Sequence, residues 1–181
     1  MKPMFVEPLA IEGAFLIESS NFEDERGSFE KIFSGDKFEN SRSLSLAQIN
    51  VSRNWKSGTI RGLHFQVGEF VEYKIVSCLV GGIFDVILDM RKDSKTFGRW
   101  QSILLSESSN AALLPPGVAH GFQTIVDNTV VQYVHSSLYS REHSRGIRFD
   151  DPTLNIPWPN EVTCVSLSDQ NLPFFEEYIE L

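Results

Sequence analysis

The chain has 181 residues, 41% of them hydrophobic and 22% charged, a composition ordinary for a globular protein and unlike a disordered one. Sixteen Lys and Arg against 24 Asp and Glu leave a net charge of −8, which excludes broad binding to nucleic acid or an anionic membrane surface but not a small phosphorylated ligand. Two distant cysteines, Cys78 and Cys164, offer neither a disulfide framework nor a cysteine zinc site and fit a cytoplasmic setting.

No apolar run approaches the ~20 residues of a membrane helix, and the opening Met-Lys-Pro-Met-Phe-Val-Glu lacks the apolar core of a secretory signal. No repeat or linker interrupts the chain, so residues 1–181 are expected to form one domain. In chain order, a helical turn or two is predicted near Ser34–Asn40. In Leu46–Ser52 the polar Gln48, Asn50 and Ser52 share one strand face, and Ile49 and Val51 share the other. Arg61-Gly62-Leu63-His64-Phe65-Gln66 carries the first histidine. Glu72–Leu79 reads as a strand with Glu72 and Lys74 on one face. Gly82–Met90 is another, with an apolar face of Phe84, Val86, Leu88 and Met90. Pro115–Phe122 carries His120, and Asn128–His135 places Tyr133 and His135 on one face, with Tyr139 shortly after. Ser166-Leu167-Ser168-Asp169 is a polar run able to deliver a carboxylate to a histidine. A short helix is predicted around Phe174–Ile179, within a helical segment of about 173–181. Gly27, Gly58, Gly81-Gly82, Pro115-Pro116-Gly117 and Asp127-Asn128 mark the turns. Many short strands at near-regular spacing predict a β-sandwich or barrel, whose polar faces would line a lumen.

The motifs narrow the chemistry. No H-x-H pair or other ligand spacing supports a metal site. A nucleophile elbow, a dinucleotide fingerprint and a phosphate-binding P-loop are all missing. The remaining set of His, Lys, Tyr and Asp suits proton abstraction beside a carbonyl: a base, a cation for the enolate oxygen, and an acid on the other face.

Ten segments in order carry a resemblance that spans about Phe15 to Pro173. They include Asp24-Glu25-Arg26-Gly27, Gln48-Ile49-Asn50-Val51-Ser52, Arg61-Gly62-Leu63-His64-Phe65-Gln66, Pro116-Gly117-Val118-Ala119-His120-Gly121-Phe122, Ile156-Pro157-Trp158-Pro159 and Leu167-Ser168-Asp169. On these the chain resembles the RmlC family of dTDP-4-dehydrorhamnose 3,5-epimerases. The resemblance implies a mainly β fold, a cupin-like jelly-roll β-barrel with a few short helices. It implies a cofactor-independent epimerase that inverts C3 and C5 of a nucleotide-linked 4-keto-6-deoxy sugar. His64 matches the family's base, Asp169 its orienting carboxylate, Lys74 the enolate-stabilising cation and Tyr133 the opposing acid. Arg61, Arg26, Gln48, Asn50, Glu72, His120 and Tyr139 match positions near the substrate. No metal or cofactor is implied, and the partners implied are the nucleotide sugar and a second copy in a homodimer whose N-terminal strand joins its partner's sheet.

The chain departs from the family pattern at Ser28, Lys31, Glu72 and Leu138, where many members carry Phe, Glu, Gln and Tyr. Two of these replace aromatics near the nucleotide base, where a lost stacking ring is worth about 1–3 kcal/mol. A single-centre epimerase of a CDP- or GDP-linked sugar and a non-catalytic sugar-nucleotide binder are therefore the alternatives. Arg141, His143, Arg145 and Arg148 read as a solvated basic loop.

Overall fold

A computed structural model describes residues 4–38, 45–107 and 110–179. The described strands are β1 (Phe5–Pro8), β2 (Phe15–Glu18), β3 (Ser20–Asp24), β4 (Gly27–Lys31), β5 (Gln48–Asn54), β6 (Ile60–Gln66) and β7 (Lys74–Val80). They continue as β8 (Gly82–Asp89), β9 (Trp100–Ser106), β10 (Asn110–Leu114), β11 (Val118–Thr124), β12 (Thr129–His135) and β13 (Ser144–Gly146). Two antiparallel sheets face each other, one ordered β1-β2-β10-β7-β12-β5 and the other β13-β6-β11-β8-β9, while β3 and β4 form a separate hairpin. The expected jelly roll is thus present, its lumen enclosed between the two sheets. The predicted turns fall where expected: Gly27 closes the β3–β4 hairpin, Gly81 separates β7 from β8, and Asn128 before β12 adopts φ 56°.

Three apolar clusters follow from strand alternation. Val76, Leu114, Ile87, Phe122 and Val131 meet between the sheets and fill one end of the sandwich. On the outer face of the five-stranded sheet, the alternating Phe84, Val86, Leu88 and Met90 pack with Ile147, Leu154, Ile156 and Phe175, which the C-terminal chain lays over them. The outer face of the six-stranded sheet buries Ile17, Ile75, Ala111 and Leu113 under Ile32, Phe33 and Phe38. Ile49 and Val51 lie on that same outer side but stay about half exposed, at 52% and 48%, so the polar face of β5 turns inward.

Helix is scarce, as predicted, and differs in detail. The segment near Ser34 forms one 3-10 turn, Gly35–Lys37; residues 39–40 of the predicted stretch lie outside the described residues. Helix α2 spans Phe175–Ile179, with residues 180–181 likewise outside. Helix α1 (Leu167–Gln170) was not predicted, because four residues are too short to display a 3.6-residue period. Its signal is the capping pattern Ser166-x-x-Asp169: the Ser166 hydroxyl accepts the Asp169 N–H at 3.0 Å.

One irregularity decides the site. His120 pairs with His64 but Phe122 pairs with Arg61, so β6 carries one residue more than β11 across that interval. Arg61 and His64, three apart and opposed on a regular strand, therefore face the same cavity. Gly62 makes the bulge possible, with φ 104° and no room for a side chain: a Cβ there would lie 2.6 Å from the His120 carbonyl oxygen and 2.7 Å from Gly121 Cα. Gly62→Ala is expected to cost about 2 kcal/mol or more. That corresponds to a melting temperature roughly 4–8 °C lower by differential scanning fluorimetry.

Candidate active site

The open end of the sandwich holds a cavity of about 730 Å³, within the range of small-molecule sites. Strand β5 contributes Gln48, Asn50 and Ser52, β6 contributes Arg61 and His64, and β7 begins with Lys74, just after Glu72. Strand β12 supplies Tyr133 and His135, and β11 supplies His120. His64 and Tyr133 stand on opposing sheets, and so on opposite walls.

His64 Nε2 lies 2.9 Å from Asp169 Oδ1, while Asp169 Oδ2 accepts the Gly62 N–H at 3.1 Å. Burial alone would raise the Asp169 carboxyl; the hydrogen bonds from His64 and Gly62 outweigh it and hold the group below the usual carboxylate value. An ionised carboxylate only accepts, so His64 Nε2 carries the proton and Nδ1 is the basic nitrogen. The sign for stability follows: the pair's contribution is present above the ordinary carboxylate value near 3.8 and is lost as pH falls through the lower folded value.

His120 Nε2 donates to Asp85 Oδ1 at 2.5 Å, both groups being buried, which places His120 on a carboxylate rather than on backbone. The rings of His120 and Tyr133 meet edge to face at 5.9 Å. Burial, reinforced by the charge of Asp85, pushes the Tyr133 hydroxyl well above the usual phenol value, so it stays a neutral proton donor. Lys74 is nearly buried, and that burial holds its ammonium below the usual lysine value, opposed chiefly by Glu72. Arg61 Nε donates to Asn54 Oδ1 at 2.8 Å, and Gln48 Oε1 accepts the Tyr139 N–H at 3.0 Å.

Of the residues singled out in the sequence, His64, Asp169, Lys74, Tyr133, Arg61, Gln48, Asn50, Glu72, His120 and Tyr139 all line this cavity. Arg26 does not. It sits at the tip of the β3–β4 hairpin, exposed and paired with Asp24. Two residues assigned to a solvated loop instead border the cavity: Arg141 and Arg145, exposed at its mouth, able to meet an anionic group. Their neighbours His143 and Arg148 pack elsewhere, on Phe70 and on Phe174 with Asp150. Nothing in local sequence separates these two pairs, since Arg141 and His143 lie in the turn after β12, Arg145 on the three-residue strand β13 and Arg148 beyond it. His135 was read only as sharing a face with Tyr133; its carboxylate partner Glu72 lies 63 residues away in sequence. Among the described residues, no three His, Cys, Asp or Glu side chains converge as metal ligands.

A jelly roll whose polar lumen carries a His–Asp pair facing a lysine and a tyrosine is equipped for proton transfer at a carbon beside a carbonyl. The sequence profile of the dTDP-4-dehydrorhamnose 3,5-epimerases matches residues 8–177. The chain is similar to the dTDP-4-dehydrorhamnose 3,5-epimerase of Sinorhizobium fredii, at 41% identity over 94% of this chain and 89% of the relative. Among solved structures, it resembles the 4-keto-6-deoxy sugar epimerase from the novobiocin biosynthetic gene cluster of Streptomyces spheroides. That match has a TM-score of 0.93 and 34% identity, covering 99% of this chain and 91% of the other. It also resembles the dTDP-4-dehydrorhamnose 3,5-epimerase of Bacillus anthracis, solved with TDP and pyrophosphate bound, at a TM-score of 0.90 and 38% identity over 96% and 100% of the two chains. The protein belongs to the dTDP-4-dehydrorhamnose 3,5-epimerase family.

Proposed function

We propose that the protein converts dTDP-4-dehydro-6-deoxyglucose to dTDP-4-dehydrorhamnose by inverting C3 and C5. The observation that carries this reading is the His64–Asp169 pair at 2.9 Å on one wall of a cavity whose opposite wall bears Tyr133. His64 Nδ1 takes the proton from a carbon beside the C4 ketone, and the C–H electron pair moves into an enolate. The ammonium of Lys74 stabilises the oxygen as charge grows on it. The Tyr133 hydroxyl then gives its proton to the opposite face of the carbon, which inverts the centre. Solvent resets the imidazolium and the phenolate. Arg61, Arg141 and Arg145 supply positive charge for the diphosphate, with Gln48, Asn50, His120 and Tyr139 as further contacts.

A cytoplasmic homodimer is part of the same reading. Arg26 lies off the cavity of its own chain, on a hairpin that exposes Phe22 and Phe29. Two strands alone are marginal in water, and a second copy gives that hairpin a surface to cover. Gel filtration with light scattering at twice the chain mass is the expected result.

The test of the activity is incubation with dTDP-4-keto-6-deoxyglucose in heavy water, following deuterium at C3 and C5 by NMR. Entry at both carbons supports the reading; entry at one identifies a single-centre enzyme; no entry overturns it. Asp169→Asn is expected to lower kcat by about 10²–10³-fold with a much smaller change in KM, because the imidazole loses the acceptor that fixes its tautomer and stabilises its charged form.

A further inference from the structure

The reaction above gives no task to one pair on the cavity wall. Glu72 Oε2 lies 2.9 Å from His135 Nδ1, and Glu72 Oε1 lies 3.6 Å from Lys74 Nζ. The three side chains are only 8%, 11% and 10% exposed. The register explains the meeting: His135 on β12 stands beside Lys74 on β7, at the point where the chain enters the strand from Glu72. On its other side His135 pairs with Gln48 of β5, and its ring stacks on that of Tyr133 at 5.9 Å. Asn50 Nδ2 approaches His135 Nε2 at 3.4 Å.

A carboxylate beside a centre where an enolate forms repels the developing charge unless it is itself held and neutralised. Here it is held from two sides. His135 Nδ1 holds one oxygen of Glu72, and the Asn50 amide nitrogen stands 3.4 Å from the other ring nitrogen, Nε2. The Glu72 carboxyl group thereby stands between the Lys74 amine and the His135 ring. The remaining titratable groups around the lysine are Tyr133 on β12, His64 and Arg61 on β6, His120 on β11, Asp85 on β8 and Asp169 on α1. Asp85 Oδ1 takes His120 and Asp169 Oδ1 takes His64, while Asp85 Oδ2 has no hydrogen-bond partner and the Asp85 charge adds a smaller support to the lysine than Glu72 does. Among the described residues, Glu72 is the carboxylate within ion-pair distance of Lys74.

We propose that Glu72 is a positioning residue that keeps Lys74 protonated before substrate binds, and that His135 anchors the Glu72 carboxylate between β7 and β12. The proposal rests on the epimerase reading for its role in turnover. Burial draws the lysine toward the neutral amine, which would leave the enolate without its cation, and the charge of Glu72 opposes that loss.

The experiment measures Lys74 directly. Acetylation by acetic anhydride across pH 6–11, read by peptide mass spectrometry, gives the pH of half-reaction at Lys74, with Lys74→Arg as the zero. In Glu72→Gln that pH is expected to fall by about one unit or more, and the basic limb of kcat/KM to fall with it. In His135→Phe, which keeps a ring but releases the carboxylate, the half-reaction pH is expected to fall too, by less than in Glu72→Gln, and an unmoved curve there overturns the anchoring role of His135. An unmoved Lys74 curve in a folded Glu72→Gln overturns the proposal. Should that variant not fold, the wild-type curve decides: Lys74 must be unreactive at pH 7–8, and reaction there overturns the proposal. Labelling needs no substrate, so a wild type inert toward the keto sugar counts against the epimerase reading alone.

Discussion

His64→Ala is expected to lower kcat by about 10³–10⁴-fold and to abolish deuterium entry at both C3 and C5. The size follows from the role we propose for the imidazole, that of the base receiving the proton from carbon, with the neighbouring histidines held by carboxylates of their own. His120 and His135 are each committed to their own carboxylates, Asp85 and Glu72; His120 stands beside His64 on the same sheet but is buried on Asp85, and His135 stands on the opposite sheet. Loss at both carbons together is the informative part. A single base serving both positions predicts equal loss, whereas a second base for one centre would spare exchange there. Binding should survive, because the arginines and the β5 amides are untouched; calorimetric titration with dTDP checks this against a folding defect. Residual exchange at one carbon in His64→Ala would show that the assignment of His64 to both centres is wrong.

Tyr133→Phe is expected to separate exchange from inversion. The ring remains in its contacts with His120 and His135, so the cavity keeps its shape. What is lost is the one proton aimed at the opposite face. His64 can still remove the substrate proton and return a deuteron to the same face. Label should therefore enter while net conversion falls by about 10²–10⁴-fold. Burial keeps the wild-type hydroxyl protonated through the alkaline range, so ionisation of Tyr133 does not limit the enzyme there. NMR of the sugar distinguishes the outcomes, since deuterium with retained configuration and deuterium with inverted configuration give different couplings. Inversion at the wild-type rate would remove Tyr133 from the acid's role.

Much of this was legible in the residues themselves. Alternation placed Gln48, Asn50 and Ser52 on one face of β5, and that face lines the cavity. It placed Glu72 with Lys74 and Tyr133 with His135, and each pair does share a wall. Parity alone sets Arg61 and His64, three apart, on opposite faces unless Arg61 lies at the strand's entrance or a bulge intervenes near Gly62, and the structure has the bulge. Parity was silent on Arg26 and Arg141, which lie in turns with no period to read, and on Arg145, whose strand β13 spans only three residues.

The sequence by itself determined the strands, their polar faces and turns, and the supply of a base, a cation, an acid and a carboxylate. These are local properties: side-chain alternation, β-branching and glycine at positive φ act within a few residues. Only the tertiary structure decided which of those groups meet. His64 and Asp169 are 105 residues apart, His120 and Asp85 are 35 apart, and Glu72 and His135 are 63 apart. A strand's pattern tells which face is buried but not which strand lies beside it. That neighbour is chosen by packing the whole sandwich, and with it the chemistry of each histidine.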